Sequence, residues 1–219
     1  MSPASAVLVT LLAAYLLGAM PWGLWIGLLR GVDVRRQGSG NLGATNVYRL
    51  LGPGLGILVL VLDAAKGALA VLWGAHGPAA MSFPGGPAWA ALSAGITAIL
   101  GHMLSVFARF RGGRGVATTI GVFLALAPWA MLIGLAAFVV AFIPTRRVSV
   151  GSLALAVVFP VGVLLTVSGA SRLRLFVLAL ITALLIIVRH IPNIRRLAQG
   201  QERALDLRGS GTAAKHKPR

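Results

Sequence analysis

The sequence predicts an all-α, polytopic membrane protein with about seven transmembrane helices, including a short hairpin at Val116–Ile143. Three observations carry this. Hydrophobic residues make up 58% of the 219 and charged ones only 11%, with a mean hydropathy of +0.89. A soluble domain carries about 25% charged residues, so this chain cannot assemble a water-facing surface, and the same figures exclude intrinsic disorder. Uncharged stretches long enough to cross roughly 30 Å of hydrocarbon recur along most of the chain. The basic residues fall mainly between those stretches.

In order, the stretches are Ser5–Leu29 with Pro21 near its end, Leu55–Ala75 with Asp63 and Lys66 inside it, and Ala88–Phe107 with His102 near its end. Val116–Ile143 follows, interrupted by Pro128, then Val148–Ser168 and a short Leu175–Val188. Residues 1–206 read as one integral-membrane domain, and 207–219 as a disordered basic tail. The start, Met1-Ser2-Pro3-Ala4, has no basic region of the signal-peptide kind.

Charge sets the expected topology. Lys and Arg total 20 against 4 acidic residues, and all but Lys66, Lys215 and Lys217 are Arg. Positive loops stay inside. Arg30–Gly54 and Ala108–Gly115 are basic and therefore cytoplasmic, whereas His76–Pro87 has no formal charge and is external. As one helix, Val116–Ile143 would measure roughly 42 Å and would put Arg146 and Arg147 outside. Folded in two at Ala127-Pro128, it returns them inside. The expectation is therefore seven crossings, N-terminus outside and C-terminus cytoplasmic, with Arg172 and Arg174 in the outer loop Ser168–Arg174 as the one misfit.

Four segments carry chemistry. The run Gly38-Ser39-Gly40-Asn41-Leu42-Gly43-Ala44-Thr45-Asn46-Val47-Tyr48-Arg49 contains G-x-G-x-x-G, but no strand precedes it, so it is no dinucleotide fingerprint. Its glycines let backbone N–H groups approach an anion, Ser39, Asn41 and Asn46 add side-chain donors, and Arg49 adds a charged fork. A flexible connector is the competing reading. The second segment leads from Gly101-His102 to Gly112-Gly113-Arg114-Gly115-Val116-Ala117-Thr118, a glycine-rich turn before a helix start. That is either an anion site or a tight turn with topology charge. The third is Arg146-Arg147-Val148-Ser149-Val150-Gly151-Ser152. The fourth is His190-Ile191-Pro192-Asn193 through Arg196 to Glu202. Taken singly, both read as topology signals or an interfacial basic helix. Asp63 and Lys66 share one helix face, either as a functional pair or as one that neutralises itself. No metal is implied, and the absence of cysteine removes thiol chemistry.

Together these segments resemble the acylphosphate-dependent glycerol-3-phosphate acyltransferases of bacterial membranes, the PlsY family, over nearly all of Leu12–Glu202. The likeness includes Leu62-Asp63-Ala64-Ala65-Lys66-Gly67. It implies transfer of a fatty acyl group from acyl phosphate to the 1-hydroxyl of glycerol 3-phosphate, giving lysophosphatidate and phosphate, at a cytoplasm-facing site in the bacterial inner membrane. No cofactor is implied. The partners are the two substrates, membrane lipid and the enzyme that supplies acyl phosphate, with no nucleic acid.

The residues expected to catalyse are Ser39, Arg49, Arg114, Ser149, His190 and Asn193. Gly40, Asn41, Asn46, Gly112, Gly113, Gly115 and Arg146 are expected to bind phosphate. No His has an Asp five positions on, so the His–Asp base of acyl-CoA-dependent enzymes is absent in that form. The departing phosphate or His190 would take the proton. Three positions depart from the family pattern: Arg114 for a usual Lys, Ser105 for a usual Pro, and Ile191-Pro192 within a His-Arg-x-Asn pattern. Two alternatives stand beside the enzyme: a transporter of phosphorylated metabolites, and a catalytically silent lipid-binding paralogue.

Overall fold

The computed structural model describes residues 1–206; the expected tail, 207–219, lies outside them. Ten α-helices and two short 3₁₀ turns make up the described chain. Six stretches are long and apolar enough to cross a membrane, and Val116–Leu126 is a shorter apolar helix.

The first crossing is broken. Helix α1 (Pro3–Ala19) starts on Ser2, whose hydroxyl accepts from Ser5 N–H, with proline at the first position where a missing N–H costs nothing. Pro21 stops it, and α2 (Trp22–Leu29) resumes. The carbonyls freed at this break are taken by side chains from the helix Pro53–His76 and from the loop after the helix Gly86–Met103. Lys66 Nζ donates to Met20 O at 2.7 Å, and Ser105 Oγ donates to Ala19 O. Ser105, one of the departures from the family pattern, thus has a defined partner.

The short α3 (Ala44–Leu51) packs on α4 (Pro53–His76), which lies at the centre and also meets α1, α2, α5 (Gly86–Met103) and α6 (Val116–Leu126). Small residues allow the approach between α4 and α6. A methyl on Gly121 would sit 1.8 Å from Ala64 O, and one on Gly67 would sit 2.3 Å from Thr118 O. Without a hydrophobic driving force between helices in lipid, such backbone contact is what packing requires.

The division of Val116–Ile143 occurs at Ala127-Pro128, with α6 ending at Leu126 and α7 running Pro128–Thr145. At 11 residues α6 rises roughly 17 Å, about half a hydrocarbon core. Its partner α7 is full-length and packs along α8 (Val148–Thr166). The apolar core lies among α4 to α8 and the last long helix, α9 (Ser171–Arg189), with Phe123 and Phe159 edge-to-face at 4.9 Å.

Helix α9 covers Ser171–Arg189, not Leu175–Val188. The expected outer loop is therefore mostly helix, and Arg172 and Arg174 lie in its first turn. Arg174 Nε bonds Ala170 O at 3.2 Å, and its guanidinium lies 5.5 Å over the Trp89 ring. A long cationic side chain can leave its helix sideways, which is why charge alone placed the boundary too late. Helix α10 (Ile191–Ala198) follows directly. Pro192 occupies its first turn, where proline is tolerated. The chain then folds back as the strap 199–206, pinned by Leu205 N–H to Arg146 O at 2.7 Å.

Candidate active site

A cavity of about 350 Å³ opens between α3, α4, α6, α7 and the start of α8. One part is polar, with Asn41, Asp63, His102, Arg114, Ser152 and His190. The rest is an apolar wall including Ile57, Leu60, Ile120, Leu135, Phe138 and Phe142. Two glycine-introduced helix starts reach it: Gly43-Ala44-Thr45 at α3 and Gly115-Val116-Ala117 at α6. The first N–H groups of a helix lack helical acceptors and carry the positive end of its dipole. The polar end is thus suited to an anion, and the apolar wall to a hydrocarbon chain.

The first motif is held by one of its own side chains. Asn46 is buried; its Oδ1 accepts from Ser39 N–H at 2.9 Å, and its Nδ2 donates to Val34 O and Gln37 O at 3.0 and 3.2 Å. That amide builds the loop and has little capacity left for substrate. Gly38 lies at φ 64° with Asn46 Oδ1 only 2.2 Å from where a Cβ would sit, so only glycine fits there. Gly40 (φ 68°) turns the chain, Ser39 is exposed, and neither lines the cavity. Of the donors expected in this motif, Asn41 reaches the wall.

The second motif differs in the same way from its expected role. Gly112 N–H donates to Met103 O and Gly113 N–H to His102 O, both at 3.1 Å, so neither is free for phosphate. Arg114 and Gly115 do line the cavity. Burial pushes the Arg114 guanidinium down to about 10, with Glu202 opposing that shift, so it remains a cation at neutral pH.

Ser149, Asn193 and Glu202 form a buried cluster beside the cavity. Asn193 Nδ2 donates to Glu202 Oε1 at 2.6 Å, and Arg196 Nε to Oε2 at 2.7 Å. Burial works against the Glu202 charge, but hydrogen bonds from Arg196 and Asn193 outweigh it and hold the carboxyl below its usual range, with a contribution from the neighbouring Ser149 hydroxyl. Ser149 Oγ itself has no hydrogen bond of good geometry. Asn193 Oδ1 and Arg49 Nε are also buried without partners among the described residues. Buried polar atoms are seldom left so, and Asn193 Oδ1 and Arg49 Nε, with Glu202 beside both, mark a place where a polar ligand would complete the bonding. Arg49 Nη2 donates to Arg203 O at 3.0 Å; burial lowers the guanidinium's pKa, partly offset by Glu202.

His190 is buried, with Nδ1 2.8 Å from Ile186 O. Burial pushes it down to about 4, and Arg114 adds to that shift while the Ile186 carbonyl opposes it. The ring is neutral at physiological pH. A carbonyl can only accept, so Nδ1 carries the proton and Nε2 is the acceptor.

Two expectations shift. Arg146 is exposed and outside the cavity; its contribution is the carbonyl that holds Leu205, and the guanidinium reaching the strap is that of Arg147, Nε to Glu202 O at 3.1 Å. A His–Asp pair does exist, assembled across helices: His102 Nδ1 lies 3.6 Å from Asp63 Oδ1, which also pairs with Lys66 at 2.8 Å. Lys66 is used structurally, while Asp63 and His102 reach the cavity wall. Sequence reasoning named Arg196 and Glu202 without giving either a role and missed Arg189. Arg189 bonds a loop some 76 residues earlier, and Arg196 and Asn193 meet Glu202 only because the chain folds back after α10, so linear spacing could not reveal them.

The family model for glycerol-3-phosphate acyltransferase matches residues 8–200. Curated glycerol-3-phosphate acyltransferases include one from Geotalea daltonii, 43% identical over 195 residues (89% of this chain, 95% of the relative). One from Anaeromyxobacter dehalogenans strain 2CP-C is 45% identical over 204 residues (93% and 99%). Among solved structures, PlsY (YgiH), an integral membrane glycerol 3-phosphate acyltransferase in its glycerol 3-phosphate form, superposes with a TM-score of 0.81 at 36% identity, over 92% of this chain and 96% of that one. Its lysophosphatidic acid form gives 0.79 over the same shares. By motif, fold and relatives alike, the chain belongs to the glycerol-3-phosphate acyltransferase family.

Proposed function

We propose that this protein transfers a fatty acyl group from acyl phosphate to the 1-hydroxyl of glycerol 3-phosphate. The observation that carries the proposal is the two-part cavity: a cationic, donor-rich end continuous with an apolar wall. An acyl phosphate has this shape, a doubly charged head on a hydrocarbon tail. The solved relatives support the acceptor and product, being described in glycerol 3-phosphate and lysophosphatidic acid forms.

The reaction needs two anions held together against their repulsion. Arg114, Arg49 and the starts of α3 and α6 supply positive potential, and their fixed placement means little reorganisation as charge moves. The glycerol hydroxyl oxygen attacks the acyl carbonyl carbon. The carbonyl–phosphate C–O bond breaks, and inorganic phosphate leaves with the electron pair. The hydroxyl proton passes to that phosphate, or to neutral His190 through Nε2. Asn193 Oδ1 and Ser149 Oγ are the buried groups available to orient the glycerol. Because the mixed anhydride is already activated, alignment can supply much of the rate. We place the site on the cytoplasmic side of a bacterial inner membrane, with the N-terminus outside, because the arginine-rich segments gather there.

Purified protein should convert labelled glycerol 3-phosphate to lysophosphatidate with acyl phosphate and not with acyl-CoA, and Arg49→Ala should lose the product. Product from acyl-CoA alone would reverse the donor assignment. No product from either donor, in folded protein that still binds substrate, would indicate a silent paralogue. His190→Gln separates the proton acceptors: turnover near wild type assigns the proton to phosphate, and a 100-fold fall in kcat assigns it to the imidazole.

A further inference from the structure

Arg189 closes α9 immediately before His190, and its side chain does not enter the cavity. It turns instead to the second glycine motif, some 76 residues earlier. Nη2 donates to Gly112 O at 2.9 Å and to Gly113 O at 3.0 Å, and Nε donates to Gly113 O at 3.2 Å. The N–H groups of the same two glycines are already bonded to the end of α5. Every backbone polar group of Gly112 and Gly113 is therefore engaged, the N–H side by α5 and the carbonyl side by one guanidinium. Gly113 has no room to shift toward α5, since a methyl there would lie 2.2 Å from His102 Nε2.

The next residue is Arg114, whose side chain lines the cavity, and Gly115 at φ 84° then turns the chain into α6. A side-chain-free segment has many conformations to lose; here a cation fixes it directly behind the anion-binding residue. No carboxylate pairs with Arg189 among the described residues, so its forked donors are committed to the loop.

We propose that Arg189 is a positioning residue for glycerol 3-phosphate: by holding the Gly112 and Gly113 carbonyls, it fixes Arg114 and the start of α6 where the acceptor's phosphate binds. This rests on the acyltransferase reading above. The acceptor is the substrate concerned because Arg114 and His190 line one cavity, and the phosphate and reacting hydroxyl of glycerol 3-phosphate are only three carbons apart.

The test compares Arg189→Met and Arg189→Lys with wild type. The expected result is a KM for glycerol 3-phosphate raised about tenfold or more in the Met variant, with kcat within about threefold. The Lys variant, with donors but no fork, should recover part of that affinity. In an Arg114→Gln background the Met change should cost less than threefold, because the group it positions is gone. An unchanged KM in R189M, equal defects in the Met and Lys variants, or full additivity with R114Q would each overturn the proposal. Calorimetric binding of glycerol 3-phosphate to the same proteins reads positioning without turnover. A tenfold loss in R189M supports it even if no acyl transfer is found, so the two readings fail separately. Thermal midpoints within a few degrees of wild type confirm that R189M is folded; if it is not, R189K against wild type carries the same comparison, and an unchanged KM there overturns the proposal.

Discussion

Two glycine-rich loops enter the same cavity, each leading into a helix whose first turn lines it, yet they are held in opposite ways. The loop before α3 is held from within, by Asn46 bonding back to positions 34, 37 and 39. The loop before α6 is held from outside, by the end of α5 on one edge and Arg189 on the other. The first takes its side-chain hydrogen bonds from within residues 34–46, while its apolar residues pack on Leu24, Val59 and Ala108. The second depends on α5 and α9 being correctly docked, so it reports on tertiary structure. The cavity thus combines one loop whose hydrogen bonds come from its own segment with another whose bonds only the assembled bundle supplies.

Breaking the self-held loop should have the largest effect. Asn46→Leu removes three hydrogen bonds and leaves Val34 O, Gln37 O and Ser39 N–H unpaired, at a cost of roughly 3 kcal/mol or more. Lysophosphatidate formation should fall at least 100-fold, with a clearly lower thermal midpoint; activity within fivefold of wild type would contradict the clamp.

Gly113→Ala attacks the other loop through the imidazole beneath it. The expected loss is roughly 10- to 100-fold in kcat/KM, and His102→Ala in the same chain should recover part of it by removing the clash. If the double variant is no better than G113A, steric contact with His102 is not the cause.

The third effect concerns the buried His190 between the two loops. Its folded pKa of about 4 lies below the unfolded value near 6.5. Between those values the unfolded chain holds a proton that the folded one lacks, so stability falls as pH drops through that window, by about 3 kcal/mol in total. Glu202, lowered in the fold, contributes stability that is lost as pH falls through its own folded value. Thermal midpoints at pH 7, 5 and 4 should decline in wild type, and His190→Gln should flatten the part above pH 4. Equal slopes in both would remove His190 as the source.

The smallest effect separates neighbours. Arg146→Ala should leave activity within twofold, because only its carbonyl holds the strap. Arg147→Ala, losing the bond to Glu202 O, should lower activity about three- to tenfold. A larger loss in the Arg146 variant than in the Arg147 one would restore Arg146 to the phosphate site.

These contrasts also explain what was legible in the sequence. The helices were readable because lipid imposes long uncharged stretches, and the break at Ala127-Pro128 because one helix there would be too long. Arg114 and Asn41 stood out because glycine-rich, donor-bearing motifs suit anions locally, whereas His190 was singled out only by the family resemblance; all three line the cavity. Asn46 was placed in the right segment with a different use, since a buried amide that closes a loop and one that binds a ligand look identical in a linear motif. Gly112 and Gly113 looked like phosphate donors for the same reason. Arg189 gains its meaning from a contact across the fold, and Arg196 and Glu202 gain theirs from the turn of the strap back onto α10. Pro192, a departure in the sequence, falls in the first turn of α10, where its missing N–H matters little.

The strap has a consequence for synthesis. Glu202 anchors Asn193 and Arg196, Leu205 forms part of the cavity wall, and Arg203 O holds Arg49 from the first motif. A ribosome making this chain therefore finishes every crossing before the residues that complete the site emerge. The half-made protein can occupy the membrane with its early motifs translated and still lack a finished cavity wall, so the chamber closes only after the crossings are made.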